Sequence, residues 1–281
     1  MYPQNLGEQL AIDETSLFHG ELYTIITNKA AKGKKGAIVA IIAGTKAETV
    51  ISVLQRIPER IRKKVREITL DMAGSMEMIS KRCFPQAVRV TDRFHVQKLA
   101  TEALQEMRIK YRWEAMDAEN EAMERSKRSG RPFDSTLLPN GDTLKQLLAR
   151  SRYVLYKKPS DWTESQKVRS ELLFERFPDL RTAYGLSMGL SQLFENTKDK
   201  VFGLANLARW HEKVRQTGFK AFNTISRSIQ NHYQTILNYF DNRSTNASAE
   251  SFNAKIKMFR NQFRGVKNVE FFLYRLTKLY A

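Results

Sequence analysis

The chain has 281 residues, 42% of them hydrophobic, and 47 Lys and Arg against 30 Asp and Glu, for a formal net charge of +17. That is enough apolar material for one large domain, or one domain with a big insertion, and the charge names nucleic acid as first partner and an anionic membrane surface as second. The single cysteine, Cys83, excludes an internal disulfide and a multi-cysteine zinc site, and no stretch approaches the roughly 18 apolar residues of a membrane-spanning helix.

In chain order, Leu10–Asp13 reads as a short strand ending on a carboxylate, and Glu21–Thr27 as a second, rich in β-branched and aromatic residues. Asn28–Gly36 is a turn with glycines on either side of a basic pair. Ala37–Ala43 is a continuous apolar run, the mark of a buried central strand. From Thr45 or Lys46 to Ile57 the spacing of Val50, Val53, Leu54 and Ile57 predicts a helix, ended by Pro58. Val65–Leu70 is a fourth strand that runs into Asp71. Ser75–Phe84 is a helix with Met76, Ile79 and Cys83 on one side, and Ala87–Thr91 is a fifth strand followed by Asp92, Arg93, Phe94 and His95. Three leading strands with short links predict an antiparallel meander, and strands reached through helices run parallel to their neighbours. The predicted fold is therefore α/β, a ribonuclease-H-like mixed five-stranded sheet.

Beyond Val96 strand signals stop. Helical stretches follow at Val96–Arg125, Asp142–Arg152, Thr163–Phe177, Asp179–Asn196 and Phe202–Gln216. The expected division is a core over 1–95, an all-helical insertion over 96–240, and a C-terminal helical part of the core over 241–281. Trp113, Trp162 and Trp210 fall in the insertion and are expected to be core rather than base-stacking platforms. Asn246 or Ser248 is placed to cap a last helix with Glu250 in its first turn, where the helix dipole favours an acid.

Asp13, Asp71 and Glu250 are the candidate metal ligands. Acids at strand ends plus an acid on a late helix can gather two divalent ions, and two such ions roughly 3.5–4 Å apart activate a nucleophile and stabilise a leaving oxygen at phosphorus. Magnesium suits few carboxylates, with waters or phosphate oxygens completing its shell. In this topology the first and fourth strands are neighbours, about 4.8 Å apart, and the fifth lies one strand further out. Asp71 is therefore the expected second ligand, with Asp92 as runner-up. Taken singly, an Asp after a strand is more often a turn or helix cap; the combination in a basic chain is what favours a site. Asp92 and His95, three apart, face the same way if a helix begins there, and His95 either positions a carboxylate, contacts a phosphate or is structural. On the last helix Asn253 and Lys257 share the face of Glu250, and Lys255, Arg260 and Arg264 extend a basic stretch suited to DNA phosphates. Residues 201–281 hold 13 Lys and Arg against 4 Asp and Glu, about half the chain's excess.

The segments Ile12–Thr15, Leu70–Met72, Asp92–Val96 and Asn246–Lys257 together resemble bacterial insertion-sequence transposases of the ISL3 family, DDE enzymes related in layout to Mutator-like transposases. The resemblance runs from about Ala11 to Ala281. It implies a ribonuclease-H-like catalytic domain interrupted by helices, two magnesium ions (manganese substituting) at Asp13, Asp71 and Glu250, and an Asp-x-x-His motif matched by Asp92 and His95. It also implies transposon-end and target DNA as partners, with several copies of the chain in the DNA complex and no membrane. Full-length relatives carry a zinc-binding and helix-turn-helix region before the first Asp, whereas about a dozen residues precede Asp13 here. End recognition by a separate DNA-binding protein, or a truncated remnant, is the corresponding expectation. The expected function is metal-dependent DNA cleavage and strand transfer in the cytoplasm, with no signal peptide. The alternatives are a nuclease of the same fold and a basic DNA-binding remnant without activity.

Overall fold

Alternation along the first strand sets the architecture. In the computed structural model, which describes residues 1–18, 21–263 and 268–281 and the side chains of all of these but 17–18 and 248–250, β1 (Gln9–Phe18) buries Leu10 and Ile12 on one side of the sheet. Ala11 and Asp13 face the other side, as a pleated backbone requires. β1 pairs antiparallel with β2 (Glu21–Asn28), and β2 antiparallel with β3 (Ile38–Ala43). On its other edge β1 runs parallel to β4 (Glu67–Leu70), and β4 parallel to β5 (Val88–Thr91). The order β3-β2-β1-β4-β5 is the ribonuclease-H-like arrangement that the sequence order of elements predicts. β1 outruns the short strand expected, because its far half pairs with β2 as far as Phe18 opposite Glu21.

One face of the sheet is covered by α1 (Ala47–Leu54), α2 (Glu59–Arg62) and α3 (Gly74–Cys83). Leu10, Ile12, Ile26, Ile68 and Leu70 pack there against Val50, Leu54, Met76 and Ile79. The helix expected to reach Ile57 stops at Leu54, and the chain restarts as the single turn of α2 after Pro58.

After β5 the chain is helical: α4 (Arg93–Arg128), α5 (Leu144–Tyr156), α6 (Glu164–Arg176), α7 (Pro178–Asn196), α8 (Lys200–Thr217), α9 (Lys220–Asn231), α10 (Tyr233–Leu237), α11 (Tyr239–Asn242), α12 (Ala247–Gln262) and α13 (Val269–Tyr280). The chain divides into two compact units, Met1–His95 with His232–Ala281, and Val96–Asn231. In the second unit α5 to α9 pack each on the next. Side chains cap their ends: Thr143 and Gln146 form a capping box for α5, and Asp199 accepts from the Val201 and Phe202 N–H groups to cap α8. Trp210 is core, its indole N–H donating to Leu186 O at 2.9 Å. Trp113 departs from expectation: it is 60% exposed, because the buried residues of α4 end at Arg108.

In the first unit α12 and α13 cover the second face of the sheet. Phe252 and Ile256 of α12 and Phe272 and Leu276 of α13 pack on Tyr23, Ile25 and Ile38. The spacing of Phe252, Ile256, Phe259 and Phe263 is one helical stripe. Between these rings, Phe252 meets Tyr280 edge-on at 5.0 Å and Phe259 lies 5.5 Å from Phe272. Beside the stripe, Lys255 Nζ donates to Gly33 O at 3.1 Å. Gly33 has φ +67° and a Cβ there would meet Lys255 Nζ at 3.3 Å, so both backbone and space favour glycine.

Phe252→Ala is expected to cost about 3–5 kcal/mol of unfolding free energy, the range for truncating a fully buried aromatic, measured by urea denaturation. A loss below about 1 kcal/mol would contradict the packing of α12 on the sheet.

Candidate active site

The hydrophobic register of the sheet brings three strands to their ends near three acids. β1 and β4 pair Leu10 with Ile68 and Ala11 with Thr69; β4 and β5 pair Thr69 with Val90 and Leu70 with Thr91. Counted on past the paired residues, this register matches position 13 with position 71, and position 71 with position 92. Asp13 and Asp92 stand toward α12, Asp13 through Asn253 of that helix and Asp92 through the Asn246 backbone at its start, while Asp71, one residue past β4, turns back onto its own loop. Asp13 is also the β-partner of Ile25, whose side chain lies in the α12 and α13 core.

Each acid is held differently. Asp13 is half-buried; its Oδ1 accepts from the Glu14 N–H at 2.8 Å and its Oδ2 from Asn253 Nδ2 at 2.6 Å. Asp71, also half-buried, closes a tight turn by accepting from the Ala73 N–H at 2.8 Å. Asp92 is fully buried; Oδ1 accepts from the Phe94 N–H at 3.4 Å and Oδ2 has no hydrogen-bond partner. Burial pushes the Asp92 carboxyl above the usual carboxylate range and Asp13 adds to this, while the Phe94 N–H, His95 and the Asn246 backbone N–H, which also faces the carboxylate, pull it down. His95 lies half-buried in the first turn of α4, its backbone N–H bonded to Asp92 O at 3.1 Å.

Two further residues belong to this neighbourhood. Glu14 is raised by burial first, then by Asp71 and Asp13, so a fourth carboxylate feels these acids. Asn246 is 1% exposed and neither atom of its side-chain amide has a partner. Orphaned buried amides are rare in folded proteins, and this one precedes α12 beside Asp92. The adjacent acid in Asp13-Glu14 was visible in the sequence; nothing there distinguished Asn246 from an ordinary helix cap.

α12 carries the remaining candidates. Position 250 lies one helical turn before Asn253, the residue that reaches Asp13; the Glu250 side chain itself lies outside the described residues, and so does Arg264. Asn253 and Lys255 are engaged with Asp13 and Gly33, Lys257 is exposed and Arg260 half-buried. The structure thus brings Asp13 within reach of Asp92, sets His95 beside Asp92, leaves Asp71 at the matching register position just past the end of β4, and docks α12 on β1. Among the described residues no group of three His, Cys, Asp or Glu side chains is close enough to hold a metal ion. Within the described part the acids fit a cation through their charge: Glu14 and Asp92 are raised by burial first and then by nearby acids, and one buried oxygen of Asp92 has no hydrogen-bond partner.

Comparison with known proteins gives matches along almost the whole chain. Residues 10–276 match the sequence profile of a DDE-type family of the ISL3 group, described as transposase. The transposase for insertion sequence element IS1001 of Bordetella parapertussis is 23% identical over 271 residues, 96% of this chain and 60% of that protein. The transposase for insertion sequence element IS1557 of Mycobacterium tuberculosis is 29% identical over 183 residues, 65% of this chain and 40% of that protein. The chain therefore spans about half the length of these relatives. No helix among the described residues is long and apolar enough to cross a membrane.

A carboxyl raised in the folded state binds its proton more tightly there than in the unfolded chain, so it lowers stability once pH rises above the unfolded value. Asp92→Asn, which can still cap α4, is therefore expected to stabilise the metal-free protein at pH 7. The gain should shrink as pH falls below about 4, where Asp is protonated in the unfolded chain as well. Thermal melts across pH check this; a destabilised variant at pH 7 would contradict it.

Proposed function

The chain belongs to the ISL3 family of DDE transposases, and from that premise we propose that it cuts DNA at the ends of an insertion sequence and joins the freed 3′-hydroxyl to target DNA. One observation carries the reading. β1 and β4 pair in parallel with a register that matches position 13 to position 71, and α12 is tied to Asp13 through Asn253, one turn from position 250. Residues a turn apart share a helix face, so this arrangement supports Glu250 as the third acid of the same site.

In this proposal Asp13, Asp71 and Glu250 hold two magnesium ions, with manganese as a substitute. Such ions supply the site with an activated nucleophile and a stabilised leaving oxygen at phosphorus. The protein's own groups hold and orient. Asn253 fixes the Asp13 carboxylate through its amide, and Asp92 with His95 flanks Asp13 and Asp71 as a polar wall in which His95 positions a carboxylate or a phosphate. Lys257, Arg260 and Arg264 track the DNA backbone from α12, and Lys255 anchors that helix to the turn at Gly33. Carboxylates that bind cations form no covalent intermediate with DNA, so the reaction depends on positioning and on neutralising charge. DNA ends and target are the partners. Several copies of the chain act together, a separate DNA-binding protein supplies end recognition if this chain lacks it, and the setting is the cytoplasm. The net charge of +17 supports DNA affinity that falls steeply with salt.

Asp13→Asn, Asp71→Asn and Glu250→Gln are each expected to reduce magnesium-dependent cleavage of an element end by more than about a hundredfold, beyond the loss typical of an outer partner of a metal ligand, with DNA affinity unchanged in gel-shift titration. Normal cutting by Asp71→Asn together with an inactive Asp92→Asn would transfer the second ligand position to Asp92. Joining of a labelled end to a second duplex separates a transposase from a nuclease of the same fold; cutting without joining would overturn strand transfer.

A further inference from the structure

Beneath these acids, on one face of β4, lies a buried polar cluster that the reaction does not use. Glu67 and Thr69 alternate with Ile68 and Leu70, so they share that face. Their side chains meet Lys29, which follows the last residue of β2, and Asn242 and Ser244, which precede α12. Lys29 Nζ donates to Thr69 Oγ1 at 2.8 Å, lies 3.5 Å from Glu67 Oε1 and donates to Ser244 Oγ. Ser244 Oγ in turn donates to Glu67 Oε1 and lies 3.3 Å from Thr69 Oγ1, and Asn242 Nδ2 donates to Glu67 Oε2 at 3.1 Å. The Lys29 and Glu67 side chains are 11% and 5% exposed. Burial pulls the lysine below its usual range and Glu67 opposes this.

A buried ion pair between an early turn and a central strand is poor evidence of added stability, because desolvation offsets most of the attraction. What this one does is geometric. It gathers a segment more than 170 residues away in sequence onto β4, four residues before Asp71. Arg243, between Asn242 and Ser244, has φ +50°, a backbone state that costs about 1–3 kcal/mol and persists only where the surroundings impose it. The same segment ends at Asn246, whose backbone N–H faces Asp92, and α12 starts at the next residue.

We propose that Lys29 and Glu67 form a buried clamp on Ser244 and Asn242 that fixes where α12 begins, and thereby the position from which Glu250 meets Asp13 and Asp71. The clamp residues are positioning residues, and the inference rests on the reading of those three acids as one site. Asn253 and the phenylalanine stripe hold the middle of α12; the clamp holds its entry. Thr69 lends an oxygen to the lysine and carries no charge of its own.

Two variants of the full chain test this: Ser244→Ala, and the double Lys29→Met/Glu67→Gln, which leaves no unpaired buried charge if a single change prevents folding. Hydrogen exchange of the metal-free proteins is followed by mass spectrometry, and cleavage is titrated with magnesium. The clamp predicts that α12 amides exchange about tenfold faster or more while β1, β2 and β3 amides keep the parental rate, a local opening rather than a global one. It also predicts a magnesium requirement for half-maximal cleavage raised about tenfold, with DNA affinity unchanged. Parental exchange of α12 in both variants would overturn it, as would equal acceleration throughout the sheet. If the parental protein shows no divalent-dependent cleavage, the functional reading fails, and the exchange comparison still decides the clamp.

Discussion

Leu10, Ile12, Ile68 and Leu70 must face α1 and α3, and that requirement places everything else. Because side chains alternate along a strand, a slip of one residue in β1 or β4 would turn its apolar set outward and drive Asp13 or Asp71 into the hydrophobic layer. The core therefore fixes the register, and the register fixes Asp13 on the opposite face and sets where β4 and β5 hand over to Asp71 and Asp92. Like charges about 5 Å apart on neighbouring strands repel, and more strongly where water is scarce. The Glu14 and Asp92 carboxyls are raised by burial first, and then by Asp71 and Asp13 on Glu14 and by Asp13 on Asp92. An arrangement of this kind is stabilised by cations, and the helix docked above it belongs to a basic part of the chain.

α12 joins the two halves of the account. Its apolar stripe answers to the core formed by Ile25, Ile38 and Phe272, and its polar side answers to the acids, through Asn253 on Asp13. One helix thus reads both layers of the sheet's second face, the hydrophobic one over β2 and β3 and the charged one over β1 and β4. The segment that leads into it is held by Glu67, Thr69 and Lys29. Position 250 comes near the sheet because the chain before it and the helix after it are each anchored by separate contacts.

Much of this was legible in the residues. Strand order followed from three apolar runs with short links and two more reached through helices, and Asp13 and Asp71 were singled out because each ends such a run. Other features left no local trace. Glu67 in the run Glu67–Leu70 reads as an ordinary strand-edge acid, and its partners Asn242 and Ser244 lie 175 and 177 residues away. Asn253 and Lys255 read as phosphate contacts in a basic helix, whereas folding engages them with Asp13 and the turn at Gly33. The last helical stretch named within the insertion ends at Gln216, yet Phe222, Ile225 and Ile229 fall at helical spacing and bury one face of α9. Trp113 shows the converse error: a large aromatic in a helical stretch suggested core, but the helix had already left the residues it packs against.

The central claim is that Asp13 and Asp71, completed by Glu250 from α12, grip a pair of divalent cations. Crystals soaked in manganese and measured at its absorption edge test it most directly. The account predicts anomalous peaks about 2.0–2.3 Å from carboxylate oxygens of Asp13 and Asp71, about 3.5–4 Å apart, with Glu250 reaching one of them. Manganese bound elsewhere, or Glu250 turned away from Asp13 and Asp71 while manganese sits on Asp92 and His95 alone, would contradict it.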